Sequence, residues 1–375
     1  MILTLENIAH YLLDKGLVSL ESIINGEFSV RDNSSRNSNF AVNKEYQPSY
    51  LIKQVKAKDA EKTQTMRIEA TCYWLANNDA QYRILKDFLP KYYEYDYLEH
   101  ILILELLPDV INLHEYYYGA GKFHLAIAKR MGALLAAYHS DGNNDLSARP
   151  SFKLFSKNKP WVFQLLQNKK EAWQHSSMKA SEKQLLQLIY DNEEFLHLLR
   201  PIAKEWEVKS LIHGDVKFPN FLINQAYTNG ATLDLRLIDW ELADIGDPLW
   251  DVAAIFQNYL SLWVSVEIEN QQSKSSKAEH FKIENIQPSI RVFWKQYSED
   301  NKWTVEVAQT RLEKAVRFTA LKLIHTCFES TPYTKHLQPY CAKILQLSLN
   351  LLKYPEDSIQ ELLGIQTLKY HAATV

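Results

Sequence analysis

Residues 211–224, LIHGDVKFPNFLIN, and residues 235–253, LRLIDWELADIGDPLWDVA, decide how this chain is read. Asp215, Asn220 and Asp239 supply oxygen donors there, and Lys217 stands two residues after Asp215. FLIN and LDLRLIDW read as short apolar strands, and Asn229-Gly230 between them is a hairpin turn signal. Asn220 and Asp239 therefore fall at the ends of adjacent strands. Phosphoryl transfer from ATP needs such a set. One carboxylate must orient or deprotonate the attacking hydroxyl, oxygen ligands must hold Mg²⁺ on the phosphates, and a cation must offset the charge that moves. Lys217 is placed to reach a γ-phosphate over the same loop.

Outward from this segment the chain changes character. Leu5, Ile8, Leu12 and Leu13 share one face of a predicted helix over residues 4–17, with Thr4 as its cap and Gly16 as its stop. GEFSVRDNSSRNSNFAVN then reads as two strands around a polar tip, and SYLIKQV as a third. A helix follows through Thr65 to Ala76, and two further strands lie between Tyr92 and Leu107. Beyond Pro108-Asp109 helices dominate, interrupted by the hairpin and by an expected exposed loop over residues 270–280. Strands and helices that segregate along a chain indicate an α+β fold. The expected division is a strand-rich lobe over 1–106 and a helical lobe over 107–375.

The order HGD-x-x-x-x-N, apolar strand, hairpin, IDWE and GDP-x-x-D resembles the aminoglycoside phosphotransferase and choline kinase superfamily, relatives of the protein kinases. The resemblance implies a two-lobed, protein-kinase-like fold with a small strand-rich N-lobe and a larger helical C-lobe. It implies ATP and Mg²⁺ as cofactors, Asp215 as the catalytic carboxylate, and Asn220 and Asp239 as the metal ligands. It further implies that Lys53, in SYLIKQV, contacts phosphates and pairs with Glu69 on the next helix. ILILELLP resembles an interlobe hinge, with the backbone at Glu105 and Leu107 meeting adenine. Asp247, Asp251 and His213 are expected to be structural. The tip VRDNSSRNSNF departs from a glycine-rich phosphate loop because it holds no glycine. Ser34, Ser35 and Asn37 are the candidates to cover phosphates there.

Composition narrows the partners. The chain has 375 residues and a net charge of -3, with 23% charged residues and no basic stripe, so neither nucleic acid nor an anionic membrane is an expected partner. ILILELL contains Glu105 and is too short to span a bilayer. No basic segment followed by an apolar run opens the chain, and Cys72, Cys327 and Cys341 are widely scattered, so a reducing cytoplasm is expected. The segment GAGK (Gly119–Lys122) lacks the full spacing of a phosphate loop. Lys and Arg roughly balance Asp and Glu after Asp251, which argues against a polycationic aminoglycoside as acceptor. Trp250, Trp263, Trp294 and Trp303 offer an aromatic cage for choline, but core packing explains them more simply. A small-molecule hydroxyl is the leading expectation. The alternatives are Ser/Thr of a precursor peptide, as in lanthipeptide-type maturation, and a non-catalytic pseudokinase scaffold. Oligomeric state is left open.

Overall fold

The computed structural model describes residues 1–34, 38–45, 48–56, 58–139, 150–165, 179–229, 232–273, 279–331 and 336–366. Helices α1 (Ile8–Asp14) and α2 (Leu20–Ile24) precede strands β1 (Phe28–Asp32), β2 (Ser38–Lys44) and β3 (Tyr50–Gln54). Helix α3 (Ala60–Asn78) leads to β4 (Tyr92–Asp96), β5 (Ile101–Glu105) and β6 (Val110–Asn112). Then come α4 (Leu113–Ala120), α5 (Leu125–His139), α6 (Ala180–Tyr190) and α7 (Glu193–Leu199). Strands β7 (Ser210–Ile212), β8 (Phe221–Asn224), β9 (Leu235–Leu237) and β10 (Asp244–Gly246) follow. The chain continues through α8 (Leu249–Ser273), α9 (Ile283–Asp300), α10 (Val305–Ser330) and α11 (Pro339–Lys353). Internal contacts divide it into two units, Met1–Asn112 with Asn220–Ala243, and Leu113–Pro219 with Asp244–Val375.

In the first unit, five antiparallel strands are ordered β1-β2-β3-β5-β4. Period-two alternation sorts β3: Tyr50, Ile52 and Gln54 are buried on one face, which leaves Leu51 and Lys53 for the other. The leading segment covers the first of these faces. Leu3, Ile8, Tyr11, Leu12 and Val18 form one core cluster with Phe40, Val42, Tyr50, Ile52, Ile101 and Ile103. Each such aliphatic side chain stabilises by about 1.5–3 kcal/mol when fully buried. Gln54 ties the segment down polarly, its Oε1 accepting from Leu3 N–H (2.8 Å) and its amide donating to the Met1 carbonyl (2.9 Å). The first helix is shorter than expected. Thr4 N–H donates to Asn7 Oδ1 (2.8 Å), so a side-chain turn occupies Thr4–Asn7 and the α-helix starts at Ile8. Gly16, at φ 67°, ends it as expected. A second sheet, β6-β8-β9, contains the expected hairpin.

In the second unit, β7 and β10 pair antiparallel while α5 packs on α9, α8 on α10, and α10 on α11. Phe163, Trp206, Trp250 and Phe318 form an aromatic core there, with ring centroids 5.4–6.1 Å apart. Trp250 and Trp294 are buried, as core packing required. Gly246 serves the β7–β10 pair by its size. A Cβ there would stand 2.7 Å from both Ile212 Cδ1 and the Trp206 ring. The expected loop over residues 270–280 is corrected in part: α8 runs on to Ser273, because Asn-Gln-Gln contains no helix breaker. Among the described residues, no helix is long and apolar enough to cross a membrane.

Candidate active site

The face of β3 turned away from the leading helix carries Lys53 into a cavity of about 140 Å³. Leu51, Leu104, Leu106, Leu107, Val110 and Ile238 are among its walls, an apolar slot suited to a flat ring. Glu69, Tyr73 and Glu105 line it too. Helix α3 is capped by Asp59, whose side chain accepts from Lys62 N–H, and its buried stripe includes Met66, Glu69, Ala70, Tyr73 and Ala76. Glu69 is thereby held 2% exposed, an acid on an apolar stripe. Lys53 Nζ donates to both of its carboxylate oxygens (2.7 and 3.0 Å) and lies 3.6 Å from Asp239 Oδ1. Burial works against the Lys53 charge, but Glu69 and Asp239 outweigh it and hold its pKa above the ordinary lysine range. One cation thus faces two carboxylates.

The second sheet places the remaining oxygen donors. Phe221 registers with Leu237, and Ile238 N–H donates to the Asn220 carbonyl (3.0 Å), so Asn220 and Asp239 stand at the same end of the hairpin. Asp239 has φ 69° and ψ 57°, a left-handed conformation that costs a non-glycine residue roughly 1–2 kcal/mol. At the far end of β5, Glu105 N–H donates to Lys91 O (2.8 Å) and Leu106 N–H to Ser49 O (2.9 Å). Leu107 N–H makes no hydrogen bond among the described residues. Ser34 lies at the β1–β2 tip, its N–H donating to Asp32 Oδ1 (2.8 Å) and its hydroxyl oxygen accepting from Asn39 N–H (3.1 Å). Those groups are engaged within the tip, beside an anionic Asp32. Ser35 and Asn37 lie outside the described residues.

In the second unit, the turn carrying Asp215 is pinned by buried groups. Gly214 has φ 79°, which favours glycine. Asp251, fully buried at the start of α8, accepts from His213 N–H (2.6 Å), Gly214 N–H (3.0 Å) and Tyr138 O–H (2.9 Å). A carboxylate only accepts, so His139 Nε2 is its fourth donor at 3.3 Å, while His139 Nδ1 meets Tyr297 O–H at 3.0 Å. Burial alone would raise the Asp251 pKa, yet these donors outweigh it and hold the group below the usual carboxylate range. Asp215 N–H donates to His213 Nδ1 (3.3 Å), a positioning contact for that imidazole. Phe218 N–H donates to Asn258 Oδ1 (2.9 Å), and Asn258 returns a bond to the Val216 carbonyl (3.2 Å). Lys217 Nζ donates to Asp215 Oδ2 at 2.6 Å. Asp247 accepts from Glu207 N–H and Leu249 N–H and pairs with Lys314 (2.6 Å).

Sequence reading missed a group on α10. Lys322, His325 and Glu329 recur at helical spacing, and Asp215 contributes electrostatically to all three. Burial, then the Lys322 charge, push His325 down to about 3, so its imidazole is neutral and its Nε2 accepts from Trp161 Nε1–H (2.7 Å). Desolvation, then the Asp215 charge, push the Glu329 carboxyl up. The i, i+3, i+7 pattern in KLIHTCFE was the available signal.

Solved structures share this architecture. The GDP and kanamycin complex of APH(2")-IIia aligns over 94% of this chain and 100% of its own, with 16% identity and a TM-score of 0.52. The microcompartment-associated aminopropanol kinase aligns over 95% and 98%, with 15% identity and a TM-score of 0.50. At these identities the likeness fixes the α+β, protein-kinase-like fold. Among curated proteins, none matches the sequence. A profile of the phosphotransferase enzyme family (APH) matches residues 29–276, more than half of the chain. With the expected motif order, the kinase-like fold and this match in agreement, the chain belongs to the phosphotransferase enzyme family.

Proposed function

We propose that the protein transfers the γ-phosphoryl group of ATP, taken up with Mg²⁺, to a hydroxyl of a small molecule. The observation that carries this is the Lys53 ammonium, held at 2.7 Å by Glu69 and at 3.6 Å from Asp239, in an apolar slot of nucleobase character. Lys53 is fixed in direction by Glu69, which orients it to contact the α- and β-phosphates. Leu107 N–H and the Glu105 carbonyl present the donor and acceptor that an adenine edge requires.

The donor set fits Mg²⁺. Asn220 and Asp239 offer two hard oxygens, Asp239 is partly exposed, and the two carboxylates near Lys53 leave an excess of negative charge. Among the described residues no cluster of three acidic, His or Cys side chains forms a complete cage, which suits an ion that takes its other ligands from phosphates and water. Bound there, Mg²⁺ would neutralise charge on the phosphate oxygens. Asp215 orients the acceptor hydroxyl and receives its proton. The hydroxyl oxygen bonds to the γ-phosphorus, the bond from that phosphorus to its bridging oxygen breaks, and ADP leaves. Lys217 Nζ bonds to Asp215, and in this reading it turns to the transferring phosphoryl group and offsets its charge.

Among the described residues, Lys217 and Lys322 share the electrostatic surroundings of Asp215, Asp251 and Glu329, two cations against three carboxyls, one of them with a raised pKa. Two resident cations weigh against a polycationic acceptor. The test is Mg·ATP incubated with a panel of simple alcohols, amino alcohols, hydroxy acids, kanamycin and Ser/Thr peptides, read by mass. One phosphate gained on a small hydroxyl compound, lost in Asp215→Ala, is the expected result. Undiminished transfer by Asp215→Ala removes Asp215 from the chemistry, and phosphate on a peptide alone removes the small-molecule assignment.

A further inference from the structure

Lys322 is buried to 5% exposure in the middle of α10, yet among the described residues its ammonium has a single hydrogen bond, to the Gly214 carbonyl at 3.2 Å. Its ammonium also stands over the Trp250 ring, 4.2 Å from the centroid. An ammonium withdrawn from water with most of its donors unmet is costly, and Met or Leu would fill the same space without that cost. Nor is Lys322 needed to satisfy Asp251, which already accepts from four donors. What the lysine adds is specific to the peptide just before Asp215. Asp251 holds the His213 and Gly214 N–H groups from one side, and Lys322 holds the Gly214 carbonyl from another. Gly214 itself sits at φ 79°, a conformation that glycine adopts freely.

We propose that Lys322 is a positioning residue for phosphoryl transfer: braced on Trp250, it clamps the Gly214 carbonyl and so sets the direction of the Asp215 carboxylate, while placing a fixed positive charge near it. The proposal rests on Asp215 acting on the acceptor hydroxyl. Burial lowers the Lys322 pKa, opposed by the charges of Asp251, Asp215 and Glu329. The charged and titratable groups around Asp215 are then Lys217 and His213 on its own loop, Lys322, His325 and Glu329 on α10, and Asp251 on α8. His325 is neutral, which leaves Glu329 as the carboxyl with a raised pKa beside it.

The experiment compares Lys322→Met and Lys322→Arg with the parent protein, using Mg·ATP turnover to water, read as inorganic phosphate release. Lys322→Met is expected to lower kcat by roughly 10- to 100-fold through misalignment of the base, with KM for ATP within about twofold. Lys322→Arg should recover most of the rate. Urea unfolding of Lys322→Met should show no loss of stability, since a buried cation has been replaced by an apolar chain. A parent-like rate in Lys322→Met overturns the proposal, as does a loss of rate that tracks a loss of stability or that Lys322→Arg does not recover. Asp215→Asn separates the two levels: if it retains the full rate, the assignment of Asp215 fails, whatever Lys322 does.

Discussion

Asp251→Asn is the sharpest perturbation of the turn that carries Asp215, and its effect can be worked from four hydrogen bonds. Oδ2 accepts from His213 N–H, Tyr138 O–H and His139 Nε2–H, and Oδ1 accepts from Gly214 N–H. An asparagine must give up one of these oxygens for an NH₂. The less damaging orientation keeps the carbonyl at the Oδ2 position and turns the amide nitrogen toward Gly214 N–H. One buried donor is then orphaned, at about 1–3 kcal/mol, and three charge-assisted bonds become neutral ones, each weaker by roughly 0.5–1 kcal/mol. The expected loss is therefore about 2.5–6 kcal/mol in the second unit, bracketing the range for breaking a buried charged network. Urea unfolding followed by tryptophan fluorescence reads that unit, because Trp206 and Trp250 pack within its core at 6.0 Å. Phosphate release should fall at least tenfold with it, as the Gly214 peptide that leads into Asp215 loses an anchor. A variant less than 1 kcal/mol weaker, with the parent rate, would refute the account of how the turn is held.

Other perturbations test other joints of the structure. Lys53→Met leaves Glu69 buried without its cation; turnover should fall by about 100-fold or more, and unaltered ATP turnover would exclude Lys53 from nucleotide handling. In Gly246→Ala the new methyl meets the rigid Trp206 ring at 2.7 Å, so a loss of about 1–3 kcal/mol is expected in urea unfolding. Glu207 supplies the pH test. Burial raises its pKa, but hydrogen bonds from Lys209 and Lys314 outweigh that and hold it at about 2. With an unfolded value near ~4.3, its contribution is complete above about pH 4.5 and disappears as pH falls toward 2. Because the side chain is 42% exposed, screening reduces the effect to about 1 kcal/mol. Glu207→Gln should flatten that part of the acid unfolding curve, and an unchanged slope would show that the cluster is inert.

The parts of the fold legible in the sequence were those with a period or a motif. β1 to β5 lie where alternation put them, and Lys53 and Glu69 form the ion pair that the family resemblance implied. The three-residue strands β6, β7 and β10 went unread, because three residues establish no period and their partners are distant in sequence. Val110 pairs with Asn224, and Ser210 with Gly246. The α10 group was hidden differently. Lys322, His325 and Glu329 on a 26-residue helix look like part of a solvated face, and only tertiary packing makes Lys322 a buried cation. Ser34 shows what tertiary and local geometry add to a polar tip. Its polar tip suggested a phosphate contact, while the local turn to Asp32 and Asn39 uses its N–H and its hydroxyl oxygen.

Buried carboxylates recur in this chain, and the balance of donors around each separates two kinds of work. Asp251 has four donors for its two oxygens, and Asp247 has two backbone N–H groups and Lys314. Both are compensated without any ligand, as a scaffold must be if it is to hold its shape between turnovers. Glu69 and Asp239 instead share the one ammonium of Lys53. Asp239 does so from a left-handed backbone conformation that nothing in strand geometry requires. A compensated carboxylate gains little from a cation, whereas an under-compensated and partly exposed one gains much. The same rule sets Lys322 apart from Lys314. Lys314 is matched by Glu207 and Asp247 and belongs to the scaffold, while Lys322 reaches one carbonyl and leaves its charge to act on Asp215. If that distinction holds, exchanging Lys314 should change stability ahead of rate, and exchanging Lys322 should change rate ahead of stability.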